Sequence, residues 1–356
     1  MKLGFGLYHH MLNDEHYRFA RQCGATHIVA HLVDYFHQGA DHPGEDSQPI
    51  GGSGGWGLAG ANRGLFTYET FVRLKEDMAQ HGLELEAIEN FDPADWHDVL
   101  LDGPKRAEQM ERLKQIVRDA GRAGIGVIGY NFSIAGVASR VMGPYARGEA
   151  PAAGMEEVDD TPIPNGMVWN MVYDRDAPPG VLPEISHDEL WDRLARFLNE
   201  ILPVAEEAGV RLAAHPDDPP AERVRRQPRL VYRPDLYQKL IDINPSPSNC
   251  LEFCLGTLME MPEGDIYEAI EQYVGQGRAA YIHFRNVRGK APMYHETFID
   301  EGDLDMPRVI AMLKRLGYEG VVIPDHTPQM ACAAPWHAGM AYAMGYIKAL
   351  DQAARP

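Results

Sequence analysis

The sequence predicts a (β/α)8 TIM barrel, and three observations predict it. Short apolar runs alternate with amphipathic stretches along the whole chain, eight such pairs follow one another, and 356 residues suit a barrel of ~250 residues that carries insertions. Strict βα alternation implies parallel strands joined by right-handed crossovers. Eight units imply closure, because closure removes both edges of the sheet. A doubly wound open sheet is the alternative, but the GxGxxG and GxxxxGK[ST] patterns of its nucleotide-binding versions are absent.

The elements follow in order. Residues 3–7 (LGFGL) read as the first strand, and a helix runs from about Asp14 to Cys23. Residues 27–33 (HIVAHLV) are the second strand, before a Gly-rich stretch and a helix from about Tyr68 to Gln80. Residues 84–89 (ELEAIE) and 125–130 (IGVIGY) are strands three and four, separated by a long helix at 104–123 that stops at Gly124. An irregular stretch rich in Pro and Gly covers about 133–186, and a helix at 188–208 ends on Gly209 as its C-cap. Strands five to eight fall at 210–214, 249–254, 279–284 and 319–324, with helices near 234–242, 264–275, 305–316 and 337–353. The whole chain, 1–356, therefore reads as one barrel domain. Its insertions at about 38–66 and 133–186 follow strands two and four, which puts them on the C-terminal face where barrel active sites are built.

The net charge of −19 argues against nucleic-acid or anionic-membrane partners, which need a basic face. Four cysteines without a CxxC pattern read as reduced thiols, no apolar run approaches ~18 residues, and the first residues lack a signal-peptide pattern. A cytoplasmic protein acting on a small molecule is expected. The last helix and the insertions offer surface for a homo-oligomer.

The chemistry-bearing residues gather at strand ends. His215 follows strand five. Cys250, Glu252 and Cys254 alternate along one face of strand six, His283 and Arg285 end strand seven, and Asp325 and His326 follow strand eight. Each of these alone has a plain structural reading, as a hydrogen-bonded His, a small core Cys or a helix-capping Asp. Four successive strand ends carrying imidazole, thiolate or carboxylate, imidazole and carboxylate point to a divalent cation. The mixed N, S and O set suits Mn2+, Fe2+, Co2+ or Zn2+ better than Mg2+ or Ca2+. Asp217 and Asp218 read as turn residues or as support for His215. Arg285 is suited to pair with a substrate carboxylate or with Glu252. Asn131, Glu89 and Glu296 are candidates for binding or orienting substrate, as is one of His9, His10 and His31.

AAHPDDPP, FCLGT, IHFRNV, Glu296 with GDLDM (302–306), PDHTPQM, YNF at 130–132 and AIE at 87–89 resemble mannonate dehydratase, a lyase family of xylose-isomerase-like barrels, over residues 20 to 350. The resemblance implies a (β/α)8 barrel and a Mn2+-dependent hydro-lyase of hexuronate catabolism that turns D-mannonate into 2-keto-3-deoxy-D-gluconate. It implies His215, Cys254, His283 and Asp325 as metal ligands and His326 as the catalytic acid/base. The chain departs from the family pattern at Ile323, where the family has Arg, and in the last helix, where Tyr342 is displaced from the family's catalytic Tyr. Arg285 then stands in as the carboxylate anchor and Tyr342, Tyr130 or His337 as the second proton carrier. A metal-dependent sugar isomerase or epimerase is the alternative function, and a non-catalytic sugar-acid binder the third.

Overall fold

Each of the eight apolar runs is a strand, and each pairs in parallel with its neighbours in chain order. The computed structural model describes residues 1–36 and 55–354. The strands are β1 (Lys2–Tyr8), β2 (His27–His31), β3 (Glu84–Glu89), β4 (Val127–Tyr130), β5 (Arg211–Ala214), β6 (Asn249–Cys254), β7 (Ala279–His283) and β8 (Val321–Ile323). β8 returns to β1 through Lys2↔Val321 and Leu3↔Val322, which closes the barrel. Strands covered on both faces need apolar residues on both, so β2, β4, β6, β7 and β8 are buried throughout.

Alternation along the strands sorts their side chains into two cores. Ile28, Ile128, Leu212, Phe253, Ile282 and Val322 face outward into the layer under the helices. Val29, Ala87, Val127, Ala213, Cys250, Tyr281, Val321 and Ile323 fill the barrel interior. Ile323 is fully buried there, so the chain has no cation at that position.

The helices are α1 (Asp14–Gln22), α2 (Tyr68–Gln80), α3 (Pro93–Leu101), α4 (Arg106–Arg122), α5 (His187–Ala208), α6 (Leu236–Ile243), α7 (Leu255–Glu260), α8 (Ile266–Ala269), α9 (Met306–Arg315) and α10 (Pro335–Ala353). Their ends follow local chemistry. Asn13, Thr67, Ser186 and Asp305 accept backbone N–H bonds as N-caps, and Gly209, with φ at 68°, ends α5 as expected. α3 and α7 were not expected. The signal for α3 is Asp92-Pro93, where Asp92 caps the helix and Pro93 occupies its first turn.

The two excursions are tied together by short strands. Gly57–Leu58 pairs with Met171–Val172, which forms a tight hairpin with Met167–Val168. Val141–Ala146 and Ala150–Met155 make a second hairpin, and the latter pairs with Met293–Glu296 from the loop after β7. The expected irregular stretch at 133–186 therefore contains strands. Segments such as VMGPYA and APAAGM, rich in Ala, Gly and Pro, carry little strand propensity of their own. Of the expected excursion at 38–66, residues 38–54 lie outside the described residues.

Gly129 on β4 is where the barrel interior is tightest. A Cβ there would run into the Tyr281 hydroxyl and sit 2.6 Å from Glu252 Oε2. Gly129→Ala should therefore cost about 1–3 kcal/mol of stability, read as a lower urea midpoint at unchanged slope.

Candidate active site

The strand ends converge as the barrel requires. One ligand atom from each of His215, Cys254 and His283 lies within 4.8 Å of the others, and Glu89, Glu252 and His283 form a second such group. Asp325 joins them, its Oδ2 3.4 Å from His283 Nδ1. The local structure explains how each side chain is aimed. Cys254 ends β6 and caps α7, its Sγ accepting the Thr257 N–H at 3.5 Å. Asp325 follows β8 with φ at 55°, and Asn90 follows β3 with φ at 67°. Asp and Asn tolerate this left-handed conformation better than other side chains, and the turn stops each strand at the mouth.

The donor chemistry fits a divalent cation. His215 donates Nδ1–H to the Pro216 carbonyl at 2.6 Å, which leaves Nε2 as the ring nitrogen facing the site. His283 is 2 % exposed, and neither of its ring nitrogens makes a hydrogen bond of good geometry among the described residues. Glu89 Oε2 and Glu252 Oε1 stand 3.3 and 3.2 Å from its Nε2 instead. Burial opposes the thiolate of Cys254, but Arg285, His215 and His283 outweigh it and hold the thiol well below its ordinary value. Asp325 is held well below the carboxylate range, against burial, by His326 and His283. Beneath this layer, burial and the neighbouring Glu89 push Glu252 up to about 8. Glu252 opposes burial at His215, which is pushed up to about 9.

A ring of buried charge surrounds the donors. Arg285 is 3 % exposed and fully engaged: Nη1 donates to Glu260 at 2.7 Å, Nη2 to Asp218 at 2.8 Å, and Nε lies 3.2 Å from Asp325 Oδ2. It does not line the cleft, so it braces Asp325 and Asp218 and is not placed to meet a carboxylate as expected. Arg140, which the sequence reading missed, does line the cleft and donates to Asp218 Oδ2 at 2.7 Å. Asp218, weighed only as a turn residue or support for His215, is thus the anion that holds both arginines. Glu296 also lies off the cleft lining; its Oε2 accepts Nδ1–H of His326 at 2.9 Å.

A cleft opens over these donors at the barrel mouth. His215, His283, Asp325, His326, Glu89 and Asn131 all reach it, as does His31 among the three early histidines. Tyr342 does not. It lies on α10, 6.0 Å ring to ring from Phe298 and 3.4 Å from Arg147 Nη2, away from the cleft. The other two stand-ins are also misplaced: Tyr130 packs on Phe197 and His337 on Phe19. Tyr8, Tyr35, Trp56 and Trp169 instead form an aromatic wall, which came from parts of the sequence with no local signal of a site.

Asp218 provides a stability test. Burial opposes its charge, yet Arg140 and Arg285 hold its carboxyl well below the usual range. A depressed folded pKa stabilises the protein fully above the unfolded value of about 4, and the gain is lost progressively as pH falls below it towards the folded value. Asp218→Asn should cost about 3–5 kcal/mol at pH 7 by urea denaturation, and distinctly less at pH 3.

Comparison with known proteins gives this site its family. The family model described as D-mannonate dehydratase (UxuA) matches residues 56–140 and 180–354. Mannonate dehydratase 2 of Halalkalibacterium halodurans is 30 % identical over 276 residues, covering 74 % of this chain and 79 % of that protein. Mannonate dehydratase of Streptococcus pneumoniae is 30 % identical over 274 residues, covering 72 % and 73 %. The crystal structure of mannonate dehydratase from Streptococcus suis serotype 2 superimposes with a TM-score of 0.74 at 23 % identity, covering 99 % of this chain and 93 % of that one, which agrees with the barrel. From the extent of the family match and the identity to these relatives, the chain belongs to the mannonate dehydratase family.

Proposed function

We propose that the chain dehydrates D-mannonate to 2-keto-3-deoxy-D-gluconate, a hydro-lyase reaction that removes the C2 proton and the C3 hydroxyl. One observation carries this reading within the family: two imidazoles, a thiolate and a carboxylate meet at the barrel mouth with a further imidazole, His326, in the same cleft. His215, Cys254, His283 and Asp325 would hold a divalent cation, Mn2+ by the family resemblance, with Fe2+, Co2+ or Zn2+ also suited to the donors. When bound, the cation supplies Lewis-acid stabilisation for the charge that grows on the carboxylate as the C2 proton leaves.

The chain's own groups do the rest. Arg140, held on Asp218, receives the substrate carboxylate, since it lines the cleft whereas Arg285 does not, and Ile323 offers no alternative cation. Asn131 at the end of β4 offers its amide to a hydroxyl, and Glu89 completes the floor beside His283. His326 takes the C2 proton at Nε2, because Glu296 fixes its Nδ1–H. As an imidazolium it returns that proton to the departing C3 oxygen, which leaves as water. The enol that remains tautomerises to the 2-keto acid. The displaced Tyr342 has no part in this. A cytoplasmic setting fits the free cysteines 23, 250, 254 and 332.

Mn2+-loaded protein should convert D-mannonate to a product lighter by one water; an isomerase or epimerase would leave the mass unchanged. His283→Ala should lose both retained metal, by elemental analysis, and turnover; full activity without metal would overturn the reading. Glu296→Gln should leave metal affinity intact and lower kcat roughly 10-fold to 100-fold, because His326 loses the anion that orients it.

A further inference from the structure

The family model leaves residues 141–179 unmatched, and this segment sends one side chain into the cleft. Trp169 stands with Asn170 at the tip of the hairpin between Met167–Val168 and Met171–Val172, and both residues have positive φ, 52° and 58°. Asn is at ease there, whereas a Trp is an uncommon choice. The surroundings hold it in place. Trp169 N–H donates to the Ile134 carbonyl at 2.7 Å, the Asn170 carbonyl accepts from Trp56 N–H at 2.7 Å, and Asn170 Oδ1 accepts from Arg225 Nη1 at 3.1 Å. Gly136, itself at φ 65°, leaves room for the tip, since a Cβ there would sit 2.7 Å from the Trp169 backbone.

The indole is therefore positioned by the backbone of two excursions. Its ring lies 5.5 Å from those of Tyr35 and Trp56, on the cleft wall, and only 6 % of the residue is exposed. Its Nε1–H is buried with no hydrogen-bond partner among the described residues. Buried indole N–H groups normally have one. An aromatic face with an unsatisfied donor, in a cleft that also presents Asn131, Arg140, His215 and His326, suits a polyol: C–H groups pack on the ring and a hydroxyl accepts the N–H.

Resting on the proposed dehydratase reading, we infer that Trp169 is a specificity-determining residue for the end of the sugar acid remote from its carboxylate. Its Nε1–H donates to a hydroxyl at the C5–C6 end, and the Trp169 and Trp56 rings limit the length of the acid.

The test compares D-mannonate with D-lyxonate, the five-carbon acid of the same configuration at C2 to C4, in wild type and Trp169→Phe, which keeps a ring and removes the donor. The variant should lose about tenfold in kcat/KM for D-mannonate, mostly through KM, and little for D-lyxonate. Its Mn2+ affinity, measured by calorimetry, should match wild type. An unchanged ratio between the two acids, or an equal loss on both, would overturn the role of Trp169 while the dehydratase reading stands. Wild type that dehydrates neither acid would overturn both.

Discussion

The charge balance at the barrel mouth is the constraint on which the rest of the site depends. Glu89, Asp218, Glu252, Glu260 and Glu296 are all buried there, with Asp325 beside them. Anions at this density cannot all stay ionised without nearby cations. Arg285 meets four of the carboxylates at once, Asp218, Glu260, Glu296 and Asp325, and Arg140 shares Asp218 with it. The two guanidiniums thereby fix the ends of β5, β6, β7 and β8 relative to one another. Glu252, pushed up to about 8, has no guanidinium partner among the described residues, and its nearest cations are the imidazoles of His215 and His283. A bound cation is the natural counter-charge for that layer.

Much of this was legible in the residues, because period-two strands ending in His, Cys and Asp leave little choice of direction. The eight strands match to within two residues at either end, and His215, Cys254, His283 and Asp325 come together as topology demands. What was not legible depends on long-range approach. Arg140 lies ten positions beyond β4 in a stretch without periodicity, and only folding brings it to Asp218, 78 residues away. Arg285 reads as a substrate anchor from its position two residues after His283; its partner Glu260 lies at the end of a short helix that sequence alone did not suggest. Tyr342 packs against Phe298 and Arg147 away from the cleft, a placement that the stretch GMAYAMGY does not encode by itself.

The departures from the family pattern then acquire a physical meaning. Ile323 is an interior packing residue against Gly4 and Gly6, whose missing side chains make room for it. A long cation at that position would have to displace those contacts. In the proposed reaction the positive charge for the sugar acid comes from an excursion, through Arg140, and the proposed distal wall comes from the excursions too. On that reading the barrel carries the chemistry, and the added segments carry the fit.

That division is less clean than it first looks. The strand Met293–Glu296 belongs to the loop after β7, yet it is zipped to Ala150–Met155 from the excursion after β4. Glu296, which holds His326, is its last residue. The angle of the His326 imidazole is thus set by the appended sheet as much as by the strand that bears it. The cover and His326 are thereby linked, so that in the proposed reaction a change in the excursion that shifted this sheet would alter the rate along with the substrate range.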